Sequence, residues 1–115
     1  MSDRQLLERA AKAVGLYGQY CNDKIIVTYG AGDIKFWNPL TDDGDCARLE
    51  AAIGIDVNWH KDRVNCWIGG VAFSGVFKDH GDDKNRARRW ASVNTAALLA
   101  WCLEREAGAD DKASR

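Results

Sequence analysis

The boundary that decides the order of secondary structure is the stretch Trp37-Asn38-Pro39-Leu40-Thr41-Asp42-Asp43-Gly44-Asp45. It holds the only proline of the sequence. Asn38 is biased towards an extended backbone because it precedes that proline, so we expect a strand to stop here. Thr41 or Asp42 can then cap a helix by accepting a hydrogen bond from a free backbone N–H. The stretch therefore predicts a strand followed directly by a helix.

The acidic residues of this stretch fall in the first turn of the predicted helix, where carboxylates offset the positive end of the helix dipole. Clustered carboxylate oxygens also suit a hard divalent cation, but the spacing is not that of an EF-hand loop. We therefore predict no metal site, and a weak metal site that serves a nuclease is the alternative. The residues interpreted as a structural motif are Trp37, Asn38, Pro39, Thr41, Asp42, Asp43 and Asp45.

On the amino-terminal side of the motif, the sequence predicts a helix and a hairpin. The β-branched run Lys24-Ile25-Ile26-Val27-Thr28-Tyr29 favours a strand. A turn at Gly30-Ala31-Gly32-Asp33 would return it to a second strand over residues 34–37. Ser2 and Gln5 have the spacing of a capping box, which predicts a helix that begins there and ends at Gly15.

On the carboxy-terminal side, the capped helix is predicted to run over residues 43–53 and to close at Gly54. Residues 55–60 and 64–68 alternate between apolar and polar, which is typical of half-buried strands. Trp59 falls on the apolar face of this pattern, so we expect it in the core. Residues 71–77 predict a further strand, in which Gly75 could form a bulge.

A long final helix is predicted from a cap at Asp83 to about Glu106. Residues 96–103 are all apolar, and such a run covers every direction of a helix instead of one stripe. The helix is therefore expected either between layers, with Trp101 in the core, or in an oligomer interface formed by residues 84–106. Residues 108–115 are small and polar, which predicts a flexible tail.

These elements predict one α+β domain over residues 1–107, in the order α-β-β-α-β-β-β-α. We expect an antiparallel sheet of about five strands packed with three helices as a layered sandwich. Length, 46% apolar content and 29% charged content fit a globular domain. The formal charge of −1 does not favour a nucleic-acid partner, and no apolar stretch is long enough to span a membrane. A cytoplasmic protein is the simplest expectation.

The four cysteines, at positions 21, 46, 66 and 102, form no Cys-x-x-Cys pair. Reduced and mostly buried thiols are expected, because free cysteine packs as a small hydrophobe. A zinc site completed by His60 or His80 and a disulfide are the alternatives. Cys66 has no recognisable base as a nucleophile, so we predict no catalytic residue and no cofactor.

The face of the predicted sheet that carries Trp67 is a candidate binding surface. Trp67 lies opposite the apolar face, near Asn58, His60 and Asn65. Tryptophan is enriched at interaction hot spots, which favours a binding role for Trp67 and His60. The alternative is a second helical layer that covers this face.

A second candidate lies at the start of the last helix, where Arg86, Arg88 and Arg89 are followed by Trp90. Arginines can meet phosphates while tryptophan stacks on a base. Cations are mildly unfavourable at a helix amino terminus, which points to some use other than local stability. A solvated face, a protein partner, and a nucleotide or nucleic acid all stay open for this patch.

The Trp37–Asp45 motif, together with the order of elements, resembles small bacteriophage proteins described as phage ABA-sandwich proteins and NinX-like proteins. A weaker match is the helix that contains Arg88-Arg89-Trp90 and Ala96-Ala97-Leu98. The resemblance implies an antiparallel sheet packed against helices, a phage or prophage origin, and a place of action in the cytoplasm of an infected bacterium. It implies no enzymatic reaction.

The functional expectation is a phage-encoded, non-enzymatic accessory protein that binds a host protein, such as a defence factor, and inhibits or redirects it. The first alternative is an oligomer that sequesters a small nucleotide signal with the arginines and Trp67 or Trp90. The second alternative is a metal-dependent nuclease built on the acidic cluster.

Overall fold

The computed structural model describes residues 1–29 and 33–113, so the turn predicted at Gly30-Ala31-Gly32 lies outside the described residues. The three helices are α1 (Asp3–Ala13), α2 (Asp43–Ile53) and α3 (Lys84–Ala113). The strands are β1 (Gly18–Cys21), β2 (Lys24–Tyr29), β3 (Asp33–Trp37), β4 (Asp56–Trp59), β5 (Arg63–Ile68) and β6 (Val71–Val76). A 3₁₀ turn, Phe77–His80, joins β6 to α3. The predicted α+β class is confirmed.

The sheet arrangement differs from the prediction, because the described strands form two sheets instead of one. The N-terminal sheet has the order β1-β2-β3 and the C-terminal sheet has the order β4-β5-β6, each fully antiparallel. Strand β1 was missed because its four residues are mostly exposed and include no β-branched residue. Its register is nevertheless regular, with Gly18 opposite Val27 and Cys21 opposite Lys24.

The helix boundaries follow the predicted caps. Ser2 and Gln5 form the predicted capping box at α1. The Asp42 carboxylate accepts a hydrogen bond from the Asp45 backbone N–H at 2.8 Å and caps α2. Gly54 ends α2 in the left-handed region with φ of 78°. These caps satisfy backbone groups that the helix itself leaves unpaired.

Helix α3 is the central element of the core. It contacts α1 along one side, α2 along another, and strands β5 and β6 of the C-terminal sheet. The buried residues on α3 that make these contacts possible are small: Ala87, Ala91, Ser92, Val93, Thr95, Ala96, Ala97 and Ala100. Small side chains let neighbouring backbones approach closely, so α3 can be packed on several sides at once.

Gly75 marks the closest approach of the C-terminal sheet to α3. A Cβ atom built on Gly75 would lie 2.4 Å from the Ala87 carbonyl oxygen, well inside contact distance. The predicted bulge at Gly75 is not present, because Val64 pairs with Gly75 in the regular β5–β6 register. The glycine is therefore explained by helix–sheet packing and not by strand irregularity.

Three predictions need correction: the core positions of Trp59 and Trp101, and the end of the last helix. Trp59 is 47% exposed at the end of β4, and its ring centroid lies 6.3 Å from that of Phe77. Trp101 is half-buried, with the Arg105 guanidinium 4.6 Å from its ring centroid. Helix α3 also continues through Ala113, past the predicted end near Glu106.

Candidate functional site

The face of the C-terminal sheet that points away from α3 carries Trp67. Residues paired across antiparallel strands share a face, so the register places Asp56, Trp67 and Ala72 side by side. The next row on the same face is Asn58 and Asn65 followed by Ser74. We call this surface, made of these six residues, the Trp67 face.

The opposite face of this sheet packs on α3. Val64 and Cys66 are fully buried there, and the Thr95 hydroxyl donates a hydrogen bond to the Cys66 carbonyl oxygen at 3.2 Å. Phe73 lies on the same inner face and meets the Trp90 ring edge-on at 5.8 Å. The predicted alternation of β5 is therefore confirmed.

The Trp67 face is open to solvent. Asp56, Asn58, Ala72 and Ser74 are exposed, and Trp67 is half-buried among them. Across the described ranges, the helix that packs on this sheet is α3, and it lies on the inner face. The second helical layer considered from the sequence is not found over the Trp67 face in these ranges.

Polar side chains surround Trp67 with hydrogen-bonding groups of both kinds. The Ser74 hydroxyl donates to the Asn65 side-chain oxygen at 2.5 Å, and the Asn65 amide nitrogen carries two N–H donors. Asp56, directly opposite Trp67, supplies an acceptor. An aromatic surface bordered by donors and acceptors has the composition of an interaction hot spot.

His60 lies beyond the end of β4 at the margin of this surface. Its side chain is exposed, and its backbone N–H donates to the Arg63 carbonyl oxygen at 2.8 Å in the turn between β4 and β5. His60 and Trp67 are therefore on the same sheet but at opposite ends of the β4–β5 pair, because Trp67 is paired with Asp56 at the start of β4.

The arginines of the second candidate site have separate structural contacts. Arg88 is paired with Glu50 of α2, with Nε to Oε2 at 2.9 Å and Nη2 to Oε1 at 2.7 Å. Arg89 donates to the Leu40 carbonyl oxygen at 2.9 Å and to the Asp43 carboxylate at 2.6 Å. Arg88 thus links α3 to the second half of α2, and Arg89 links α3 to the start of α2.

Trp90 does not share a surface with Trp67. It lies on the side of α3 that faces the inner side of the C-terminal sheet, with Phe73 at 5.8 Å and His80 at 5.2 Å from its ring centroid. Trp67 lies on the other side of the same sheet. The sequence-predicted binding residues therefore divide into an open surface around Trp67 and a packed surface around Trp90.

The acidic stretch serves the fold in the way the sequence predicted. Asp45 is 5% exposed, accepts a hydrogen bond from the Asn38 backbone N–H at 3.0 Å, and pairs with Arg48 at 2.6 Å. Asp43 pairs with Arg89. Asp45 thus has partners within the strand–turn–helix junction, whereas Asp43 links the junction to α3. Among the described residues, no group of three or more His, Cys, Asp and Glu side chains is placed to hold a metal ion.

A polar cluster between α2, α3 and β5 was not predicted. Its centre is Glu50, which accepts the two Arg88 bonds and a bond from the Ser92 hydroxyl at 2.6 Å. Cys46 Sγ lies 3.7 Å from Glu50 Oε2, and Cys66 Sγ lies 3.3 Å from Ser92 Oγ. The available signal was the spacing of four residues between Cys46 and Glu50, which places both on one face of α2.

The thiols of this cluster are held in their protonated form. Burial, reinforced by the negative charge of Glu50, raises the pKa of Cys46 from 9.0 to about 12. Burial also raises the pKa of Cys66. The thiolate is the reactive form of cysteine, so this environment disfavours nucleophilic chemistry at both positions. The cluster is better explained as a polar contact that fixes α2 against α3.

The two cysteines outside this cluster are Cys21 and Cys102. All four cysteines are free thiols, with Cys21 exposed and Cys102 half-buried.

Over the ranges that the structure covers, none of the helices combines the length and apolar character required to cross a membrane.

Comparison with known proteins identifies no relative of this chain. No family model matches it, no curated protein matches it, and no solved structure matches it.

Proposed function

We propose that the protein acts by binding another protein through the Trp67 face. The observation that carries the proposal is the placement of Trp67, half-buried and centred among exposed hydrogen-bonding side chains, on a sheet face that no described helix covers. A flat face with one large aromatic residue and surrounding polar groups resembles the centre and rim of a protein–protein interface.

The type of partner that we propose is a host protein of an infected bacterium. This part of the proposal rests on the resemblance of the Trp37–Asp45 motif and of the element order to small phage proteins. A protein of this kind would inhibit or redirect the host factor, such as a defence component, by occupying its surface. The Trp67 face can supply the centre of such a contact, because its six residues span three neighbouring strands.

The alternative of a nucleotide-sequestering oligomer has less support from the contacts. Arg88 and Arg89 would have to release Glu50 and Asp43 before they could bind a phosphate. One feature does favour self-association: Leu103 is 53% exposed at the end of the apolar run on α3. Sedimentation velocity across a concentration series tests self-association, since a monomer at every concentration would contradict it.

The test of the leading proposal is a comparison of two aromatic substitutions. Trp67→Thr removes the aromatic side chain from the Trp67 face and keeps a residue that suits a strand. Tyr17→Ser is the matched control, because Tyr17 is 89% exposed at a distant position. Tagged variants are used to isolate partners from infected bacteria, and the affinity of the isolated partner is then measured by calorimetry.

We expect Trp67→Thr to weaken partner binding by about ten-fold or more, as removal of a hot-spot tryptophan does, and Tyr17→Ser to leave it unchanged. Circular dichroism and the melting temperature verify that both variants are folded. If the folded Trp67→Thr protein retains the partner with wild-type affinity, the proposed binding face is wrong.

A further inference from the structure

A cavity lies between the end of α1, strand β3 and helix α2, away from the Trp67 face. Its volume is about 190 Å³. Trp37 of β3 and Leu49 of α2 form its floor, since they are 5% and 1% exposed. Val14 and Leu16, which follow α1, form an apolar wall. The interior of the cavity is therefore lined by aliphatic groups and one indole ring.

The mouth of the cavity carries charged side chains, whereas its floor is apolar. Lys35 of β3 and Arg48 of α2 lie there with exposed side chains, and Ala52 of α2 lies beside them. The Asp45 carboxylate pairs with Arg48 at 2.6 Å and offsets one of the two positive charges. Lys35 adds a positive charge at the opening that is separate from the Arg48–Asp45 pair.

The volume limits what the cavity can hold. An engineered protein cavity of about 150 Å³ with an apolar lining holds one benzene molecule. Pockets for drug-sized ligands have volumes of about 300–1,000 Å³. A cavity between these sizes accommodates a single six-membered ring with one compact substituent, and it is too small to enclose a nucleotide.

We propose that this cavity binds a small aromatic carboxylate, with the ring against Trp37 and Leu49 and the carboxylate at the mouth beside Lys35 and Arg48. The ring gains apolar contact and an aromatic neighbour. The carboxylate stays near solvent, where it meets the Lys35 ammonium group without losing all of its hydration. The site is independent of the partner surface around Trp67.

The test uses benzoate as the probe and benzamide as its neutral counterpart of similar shape. ¹H–¹⁵N correlation spectra are recorded during titration of the full-length protein with each compound. We expect saturable shifts for the backbone amides of Leu16, Lys35 and Ala52 with benzoate. Binding of benzamide is expected to be about five-fold weaker, the factor for loss of one solvent-exposed charge contact.

Two variants test the two halves of the proposal. Lys35→Gln removes the lysine charge at the mouth, and we expect it to weaken benzoate binding about five-fold while benzamide binding is unchanged. Lys61→Gln is the matched control, because Lys61 is an exposed lysine in the β4–β5 turn. Ala52→Leu fills the mouth at an exposed helical position, and we expect it to abolish binding of both compounds without loss of the native spectrum.

Three outcomes would overturn the proposal. The first is the absence of saturable shifts at these amides in the wild-type protein. The second is equal affinity for benzoate and benzamide, which would show that the charge at the mouth is not used. The third is unchanged benzoate binding in folded Ala52→Leu protein, which would place the ligand elsewhere.

Discussion

Arg88 and Glu50, which are 38 residues apart in the chain, face each other in a two-pronged salt bridge between α3 and α2. Their side chains are 18% and 12% exposed. The charge of Glu50, close to the guanidinium and hydrogen-bonded to it, raises the pKa of Arg88 above its ordinary value. The pair joins α3 directly to α2, and the bonds of Arg89 join α3 to Leu40 and Asp43. Two arginines of the basic patch at the start of α3 are therefore engaged within the fold.

Removal of one partner of this pair should cost more stability than removal of both. Glu50→Ala leaves the Arg88 guanidinium largely buried without a counter-charge, and we expect a loss of about 3 kcal/mol in the free energy of unfolding. Glu50→Leu combined with Arg88→Leu replaces the pair with apolar contact and should recover most of that loss. Urea denaturation monitored by circular dichroism measures the free energy of unfolding of the single and the double variant.

The exposed pair Arg63–Asp62 is the control for that experiment. Because both side chains are well exposed, Arg63→Ala should leave the free energy of unfolding nearly unchanged. A loss at Glu50→Ala no larger than that at Arg63→Ala would contradict the structural role assigned to the Glu50–Arg88 pair.

Gly75 should tolerate no side chain. In Gly75→Ala the new Cβ atom meets the Ala87 carbonyl oxygen, so β6 and α3 have to separate. We expect a loss of about 1–3 kcal/mol in the free energy of unfolding, the usual cost of overpacking. Gly70→Ala is the matched control, because nothing lies within 4 Å of its Cβ position. Equal stability of the two variants would show that the helix–sheet approach is not tight.

The cap of α2 can be tested with one position and two substitutions. Asp42→Ala removes the oxygen that accepts the Asp45 backbone N–H, and we expect it to cost about 1 kcal/mol of folding free energy. Asp42→Ser restores a capping oxygen and should return most of that stability. If both variants lose the same amount, the negative charge at the helix start, and not the hydrogen bond, is the contribution that matters.

Alkaline pH should destabilise the protein through its buried thiols. The folded-state pKa of Cys46 is raised from 9.0 to about 12, so the folded protein keeps a proton that the unfolded chain releases above about pH 9. The stabilising contribution is complete below pH 9 and is lost as the pH rises towards about 12. Each proton difference lowers the free energy of unfolding by about 1.4 kcal/mol per pH unit.

The control for this pH dependence is Cys46→Ala. The alkaline slope of the free energy of unfolding should be shallower in Cys46→Ala than in the wild type, with the remaining slope including the contribution of Cys66, whose pKa is also raised. Denaturant titrations at pH values from 8 to 11 measure the slope in both proteins. An identical slope in both proteins would mean that Cys46 ionises as readily in the folded protein as in the unfolded chain.

The features that the sequence predicts well are those determined by neighbouring residues. The caps at Ser2, Asp42 and Gly54 depend on side chains within a few positions, and all three are confirmed. The alternation in β5 is also local, and it placed Trp67 on the face away from the core. Local hydrogen-bonding and periodicity are sufficient for such predictions.

The features that were predicted incorrectly depend on residues far apart in the chain. The division into two sheets follows from which strands pair, and every strand pattern was compatible with one larger sheet. Trp59 has the correct periodicity for the core but lies at a strand end where little covers it. The arginines of α3 looked like a surface patch because Glu50 and Asp43, their partners, come from a distant segment.

The connectivity of the two sheets has a consequence for the order in which the chain can fold. Each strand pairs with its neighbour in sequence, so every hairpin can close as soon as its residues leave the ribosome. Helix α3, however, follows all of these strands and contacts α1, α2, β5 and β6. A single isolated hairpin is marginally stable in water. The nascent chain therefore holds unpartnered apolar faces until residues 87–100 emerge, because these residues of α3 cover them.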